Sequence, residues 1–238
     1  MRVTAAALAL AVVALAGSCG TGDQTTTDAP DDARVSCGPG GQGFPAEALD
    51  GPTGAEESDT PEAAGLRSLI ENPDGIGELP RTDWRLLDRD DDHVTFGAES
   101  VDGLTVVSLR REGDRWKFSG SAHGCPDLMV VPPEGLSAAV WWRDPDADDS
   151  GDDRVLHVFA TDPNCASGRP TGDRLRPPTL ETTDDEVVIT FTAEPVTGDQ
   201  SCPGHPPTPY QVQLDEPIGE RTLLDGTYWP PRPPEPER

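Results

Sequence analysis

Four groups of side chains in this 238-residue sequence could do chemistry. The first is the acidic run Asp144-Pro145-Asp146-Ala147-Asp148-Asp149-Ser150-Gly151-Asp152-Asp153. Asp144, Asp146 and Asp148 supply oxygens at the first, third and fifth positions of a calcium loop. The pattern then breaks, because Asp149 stands where such a loop needs glycine and Val155 where it needs a bidentate glutamate. That leaves these three aspartates as a weak metal candidate, against the simpler reading of a solvated loop that keeps the chain soluble. The second group is Ser121 and His123, two apart on an expected strand and therefore on one face. A serine nucleophile also needs an orienting acid and an oxyanion hole, and neither G-x-S-x-G nor S-x-x-K accompanies this pair, so no catalytic residue is expected. The third is Trp141-Trp142, which sends one indole to each face of a strand. The inward ring belongs to a core, and the outward one could serve as a platform for a glycan or peptide. The fourth is a set of five cysteines: Cys19, Cys37, Cys125, Cys165 and Cys202.

Cysteine arithmetic separates Cys19 from the rest. The N-terminus has one base, Arg2, and then an apolar stretch from Val3 to Ala16, the length of a signal-peptide core and too short to span a bilayer comfortably. At its end, Leu15-Ala16-Gly17-Ser18-Cys19 resembles the bacterial lipobox. The resemblance implies a diacylglyceryl group on the Cys19 thiol and cleavage after Ser18, so residues 1–18 are expected to be a lipoprotein signal peptide. Two acyl chains hold a protein stably at a membrane, where one binds only marginally. Ordinary secretion is the alternative, since Ala14-Leu15-Ala16 is also an A-x-A cleavage signal. With Cys19 lipidated, an even four cysteines remain for an exported, oxidised domain. Four cysteines allow three pairings; Cys37 with Cys125 and Cys165 with Cys202 is the expected one, because each half of the chain is small enough to need a staple. Zinc is disfavoured by the absence of any C-x-x-C pair.

Composition adds location and exclusions. Lys+Arg number 18 against 44 Asp+Glu, a formal charge of −26, which excludes a basic nucleic-acid footprint. The bases are 17 Arg to one Lys, Lys117, with only two Asn, a bias that points to a GC-rich genome. With the lipobox, the chain resembles the lipoproteins common in actinobacteria, a likeness that transfers a location and no catalytic residues. His93, His123, His157 and His205 are scattered without metal spacing, and no P-loop, G-x-G-x-x-G or H-E-x-x-H is present, so no cofactor is expected.

The elements that must position these groups divide at Pro132-Pro133-Glu134-Gly135. Residues 19–36 form an acidic, disordered tether, reaching on the order of 20–25 Å as a flexible coil. Residues 37–131 are expected to be an α+β unit. Thr60 caps a helix with Pro61 at its first position, and an antiparallel meander follows over Trp84–Asp88, His93–Ala98, Leu104–Arg111 and Arg115–His123. Residues 136–229 read as mainly β and sandwich-like, with runs at Ala138–Arg143, Arg154–Thr161, Glu186–Ala193, Tyr210–Leu214 and Arg221–Leu224. Residues 230–238 are a Pro-rich tail.

The fold class is therefore α+β and β-rich. The chain reads as a lipid-anchored protein on the extracytoplasmic face of the cell membrane, a non-enzymatic binding or interaction module for an envelope protein, glycan or small ligand. An envelope-acting hydrolase and a weakly calcium-responsive module are the alternatives.

Overall fold

The computed structural model describes residues 33–235, except Asp74, Pro126, Ser150, Asp152 and His205. Cys19, the leader and the expected tether as far as Asp32 lie outside the described residues, while Arg34–Ser36, expected to belong to that tether, form a strand with Val35 buried. Among the described residues the fold is β-rich, with mostly antiparallel strands and one α-helix. In chain order the elements of the first half are β1 (Arg34–Ser36), β2 (Phe44–Pro45), α1 (Pro61–Glu71), β3 (Arg85–Arg89), β4 (His93–Ser100), β5 (Gly103–Glu112), β6 (Arg115–Cys125) and β7 (Leu128–Val130). Those of the second are β8 (Ser137–Arg143), β9 (Val155–Thr161), β10 (Thr179–Thr182), β11 (Glu186–Ala193), β12 (Thr208–Gln213), β13 (Thr222–Asp225) and β14 (Tyr228–Trp229).

Helix α1 starts where its first free amides find an acceptor. The Thr60 hydroxyl accepts from the Ala63 N–H at 3.3 Å, and Pro61 spends its missing N–H where no intrahelical partner exists. Strands β3 to β6 pair in order as an antiparallel meander. The β4–β5 turn depends on Gly103, whose φ of +114° is left-handed; a Cβ there would also collide with the Cys125 carbonyl.

Strict alternation splits the meander into two apolar layers. Val94, Phe96, Ala98, Val107 and Leu109 face one way and pack with Leu66 of α1, Leu79 and Trp84. Leu87, Leu104 and Val106 take the other face and pack with Val35, Phe44 and Ala46. Between them on that second face, Thr95 and Ser108 are buried opposite one another with hydroxyls 3.3 Å apart, so neither oxygen is left unpaired. Burial on both faces explains why Leu104–Leu109 reads almost continuously apolar.

The second half is built on a six-stranded sheet in the order β10-β11-β8-β9-β12, with β13 parallel to β11. Strands β8 and β13 share one edge of β11, β13 along Glu186–Ile189 and β8 along Phe191–Ala193. One layer of side chains, including Trp141, Leu156, Val158, Ile189, Phe191 and Val212, fills its inner face. The rings of Trp141 and Phe191 tilt at 54° with centroids 6.1 Å apart, and Tyr210 meets Phe191 edge-on at 5.3 Å.

A small third sheet, β14-β7-β1-β2, links the first and last described strands. The chain turns out of β13 at Gly226, packed so closely on Thr190 and Val188 that no Cβ fits, and Trp229 then joins the apolar layer of Val35 and Phe44. The start of the Pro-rich segment is held in place. Arg232 exchanges backbone hydrogen bonds with Asp225, lays its guanidinium 3.6 Å from the Tyr228 ring centre and bonds Asp127 at 2.7 Å. Two disulfides close the structure, Cys37–Cys125 across 88 residues and Cys165–Cys202 across 37.

Candidate functional site

Alternation along β8, β9 and β12 sorts their side chains between a core and an outer face. Trp141 is 1% exposed and donates its indole N–H to the Ile189 carbonyl at 3.0 Å. Trp142 points the other way, half-buried, with its ring 6.0 Å from that of Phe159 opposite. On the same face, His157 stands two residues before Phe159 and directly opposite Gln211. Sequence reasoning could assign one indole to the core but not which one.

His157 is held from three directions. The Asp149 carboxylate accepts the His157 backbone N–H at 2.8 Å and lies 2.6 Å from its Nδ1. The Gln211 amide nitrogen is 3.1 Å from Nε2. Nδ1 thus faces the carboxylate and Nε2 the Gln211 amide, so both ring nitrogens are engaged. Burial pushes the Asp149 carboxyl up, but the bonds from the His157 ring and backbone outweigh it and hold the group below its ordinary value. Nothing in the sequence links Asp149 to His157, because the partnership depends on how the intervening loop folds.

That loop contains the acidic run. Together with Arg154 and His157 it lines a shallow groove of about 490 Å³ on Asp144, Asp146, Asp148 and Asp149. Asp144 uses one oxygen to accept the Asp146 N–H at 3.0 Å, closing a local turn. Among the described residues, no three acidic, histidine or cysteine side chains converge where a cation could sit. Ser121 and His123 lie on the exposed strand β6, and neither makes a side-chain hydrogen bond among the described residues. Cys37 pairs with Cys125 and Cys165 with Cys202, as the small size of each half leads one to expect. Cys19 lies outside the described residues.

Two buried carboxylates support the second half, and neither announces itself in a chain with 44 acids. Asp162, 1% exposed, takes a bond from Arg174 at 2.9 Å and one from the Ser137 hydroxyl at 3.2 Å. Its second oxygen accepts the Asn164 backbone N–H at 3.0 Å, which fixes the loop entering the Cys165–Cys202 disulfide. Asp225, also 1% exposed, accepts the Thr227 N–H at 2.9 Å. Burial pushes its carboxyl up to about 6, against the opposing pull of Thr227, Trp141 and Arg232.

The two disulfides are those of a protein that folds in an oxidising, extracytoplasmic compartment. Among the described residues no helix is long and apolar enough to cross a membrane. No family model, curated protein or solved structure matches the chain.

Proposed function

We propose that this chain is a lipid-anchored binding protein of the cell envelope. Cys19 holds it to the extracytoplasmic face of the membrane, and the Trp142 face of β8, β9 and β12 receives a protein, glycan or small ligand. The observation that carries the reading is Trp142 itself: of two adjacent indoles, one is sealed into the core and the other is presented beside Phe159, His157 and an acid-lined groove. A part-exposed ring beside hydrogen-bonding groups suits a ligand with an apolar surface and polar edges. The lipobox and the two disulfides support an exported location. In this reading the chain divides at 132–135. A unit with a helix and meander spans 37–131, and a β unit at 136–229, built on the six-stranded sheet and tied to the first through β14, carries the face.

A hydrolase would build on the His157–Asp149 pair, which has the form of a base and its orienting acid. Gln211 engages the Nε2 that would have to take a proton from a nucleophile, which favours binding over catalysis.

Two labelling experiments test the two parts. Radiolabelled palmitate should enter the wild-type chain and not Cys19→Ser; label retained by the variant removes the anchor. A photoreactive phenylalanine in place of Trp142 should give a discrete adduct in intact envelopes, whereas the same group at Val101, fully exposed on the β4–β5 turn, should not. Equal yields at both positions would leave the Trp142 face without a role.

A further inference from the structure

The meander has one free side. Strand β6 is its outermost member and, at 11 residues, the longest strand in the fold. Among the described residues no backbone group pairs with its outer edge. An unpaired edge is a template for another strand, and proteins normally blunt it with bulges or charge. Here β6 is blunted over only part of its length. Ser119 is an extra residue between the pairs Ser108–Gly120 and Leu109–Phe118, and a second register shift falls before Cys125. The four residues Arg115–Phe118 are left straight, in unbroken register with Leu109–Glu112.

Those four residues have two chemically distinct faces. Trp116 and Phe118 stand opposite Arg111 and Leu109, on the side covered by α1; Phe118 is 42% exposed. Arg115 and Lys117 occupy the other side, with Arg110 beside Lys117. The segment 110–117 contains four of the chain's 18 basic residues against two acids, in a molecule whose overall charge is −26. Of the acids nearby, Glu112 pairs with both Lys117 and Arg110, at 2.7 and 3.1 Å, and Asp92 lies 3.8 Å from Arg111, while Asp114, next to Arg115, makes no ion pair among the described residues. Arg115 has no ion pair among the described residues. At physiological salt the remaining acids act over only about 8 Å, so a strand on this edge meets the local bases rather than the net charge.

We propose that the outer edge of Arg115–Phe118 accepts an extended protein segment as a fifth strand, one that alternates acidic and apolar side chains. The acids lie beside Arg115 and Lys117 and the apolar groups beside Trp116 and Phe118, because side chains alternate across a sheet while the backbone ladder supplies the common grip. This surface is separate from the Trp142 face, so neither proposal depends on the other.

The test uses the purified full chain and three fluorescent nine-residue peptides, read by anisotropy and by amide exchange. One alternates glutamate and valine, the second lysine and valine, and the third is the glutamate peptide with alternate backbone nitrogens methylated. The glutamate peptide should bind and slow exchange in Arg115–Phe118. The lysine and methylated peptides should each bind at least tenfold more weakly, as should the glutamate peptide with Arg115→Glu/Lys117→Glu. Those two side chains are exposed, so the variant keeps its core. Absence of binding at millimolar peptide overturns the proposal. So does equal affinity for the methylated peptide, which shows charge attraction without a ladder. Tighter binding of a sulfated oligosaccharide than of any peptide reassigns the edge to anionic glycans and likewise ends it.

Discussion

The two large sheets solve the same shortage of apolar residues in opposite ways. The meander β3–β6 is covered on both faces, by α1 and Trp84 on one and by β1, β2 and Ala46 on the other. Its central strands are buried on both faces, and the β6 edge is left for an encounter. The sheet around β8 and β9 has one filled layer, while Trp142, His157, Phe159 and Gln211 stand on its outer side. It offers a face rather than an edge. Both sheets rely on buried carboxylates to hold loops: Glu56 accepts the Asp83 and Trp84 N–H at the start of the meander, and Asp162 and Asp225 do the same in the second half. Polar networks of this kind stabilise strongly when complete and fail abruptly when one member goes.

The disulfides should show the sharpest contrast. Chain-entropy arithmetic gives about 4.6 kcal/mol for the 88-residue separation of Cys37 and Cys125, and about 3.8 kcal/mol for the 37 residues between Cys165 and Cys202. Cys37 and Cys125 also pack against the Val35–Phe44 layer, whereas Cys165 and Cys202 are exposed. Graded dithiothreitol should therefore open Cys165–Cys202 first, with the meander still folded by tryptophan fluorescence. Alanine replacement of both members should cost more stability at Cys37/Cys125 than at Cys165/Cys202. The reverse order would mean that the first half does not need its staple.

Next in size is Asp162→Ala. Removing it leaves the Arg174 guanidinium buried without its carboxylate, and breaking such a pair costs on the order of 3–5 kcal/mol. Exposed pairs of the meander, such as Lys117–Glu112, should cost far less when broken, because solvent screens them. Urea unfolding of Asp162→Ala and Lys117→Ala side by side measures that gap. Similar midpoints for the two variants would dissolve the distinction between the sheets.

How much of this was legible follows the same division. The meander strands could be read from alternation and turn residues because both of their faces are apolar and their connections are short, Asp102-Gly103 above all. The runs that became β8, β9 and β11 were equally clear from Trp141, Val158 and Ile189. Strands β1, β2, β7 and β14 were not, since two or three residues cannot show a period and their pairing joins distant positions, such as Val35 with Val130 and Tyr228 with Met129. Strand β10 was missed for another reason: Thr179, Glu181 and Thr182 are exposed, so it has no apolar signal. The site fared worse than the fold. Asp149, His157 and Gln211 are each ordinary in sequence and become a unit only through a loop closure and a cross-strand register.

Asp225 predicts an acid-side signature in stability. Its carboxyl titrates near 6 when folded and near 3.8 when free, so the folded chain binds more protons between those values. Its contribution to stability is full below about pH 4, declines as pH rises through 4 to 6 and is absent above. The whole step is on the order of 3 kcal/mol. Asp225→Asn keeps an oxygen for the Thr227 N–H and removes the charge, so its advantage over wild type should grow from pH 4 to pH 6 and then level off. Unfolding free energies that stay parallel for the two proteins across pH 4–7 would show that the carboxyl is ionised throughout.

The smallest expected effect bears most directly on the comparison. Trp142 is half-buried and contributes mainly its contact with Phe159, so Trp142→Ala should cost about 1 kcal/mol. Trp141→Ala, at the adjacent residue, should cost about 3–5 kcal/mol, because it empties a core site and frees the Ile189 carbonyl. If the outer face of the second sheet is where ligands arrive, Trp142→Ala should lose envelope adducts formed from a photoreactive group at neighbouring Gln211 while its melting temperature stays within a few degrees of wild type. A large loss of stability would make Trp142 a structural residue like its neighbour, and the second sheet would then be closed on both faces as the first is.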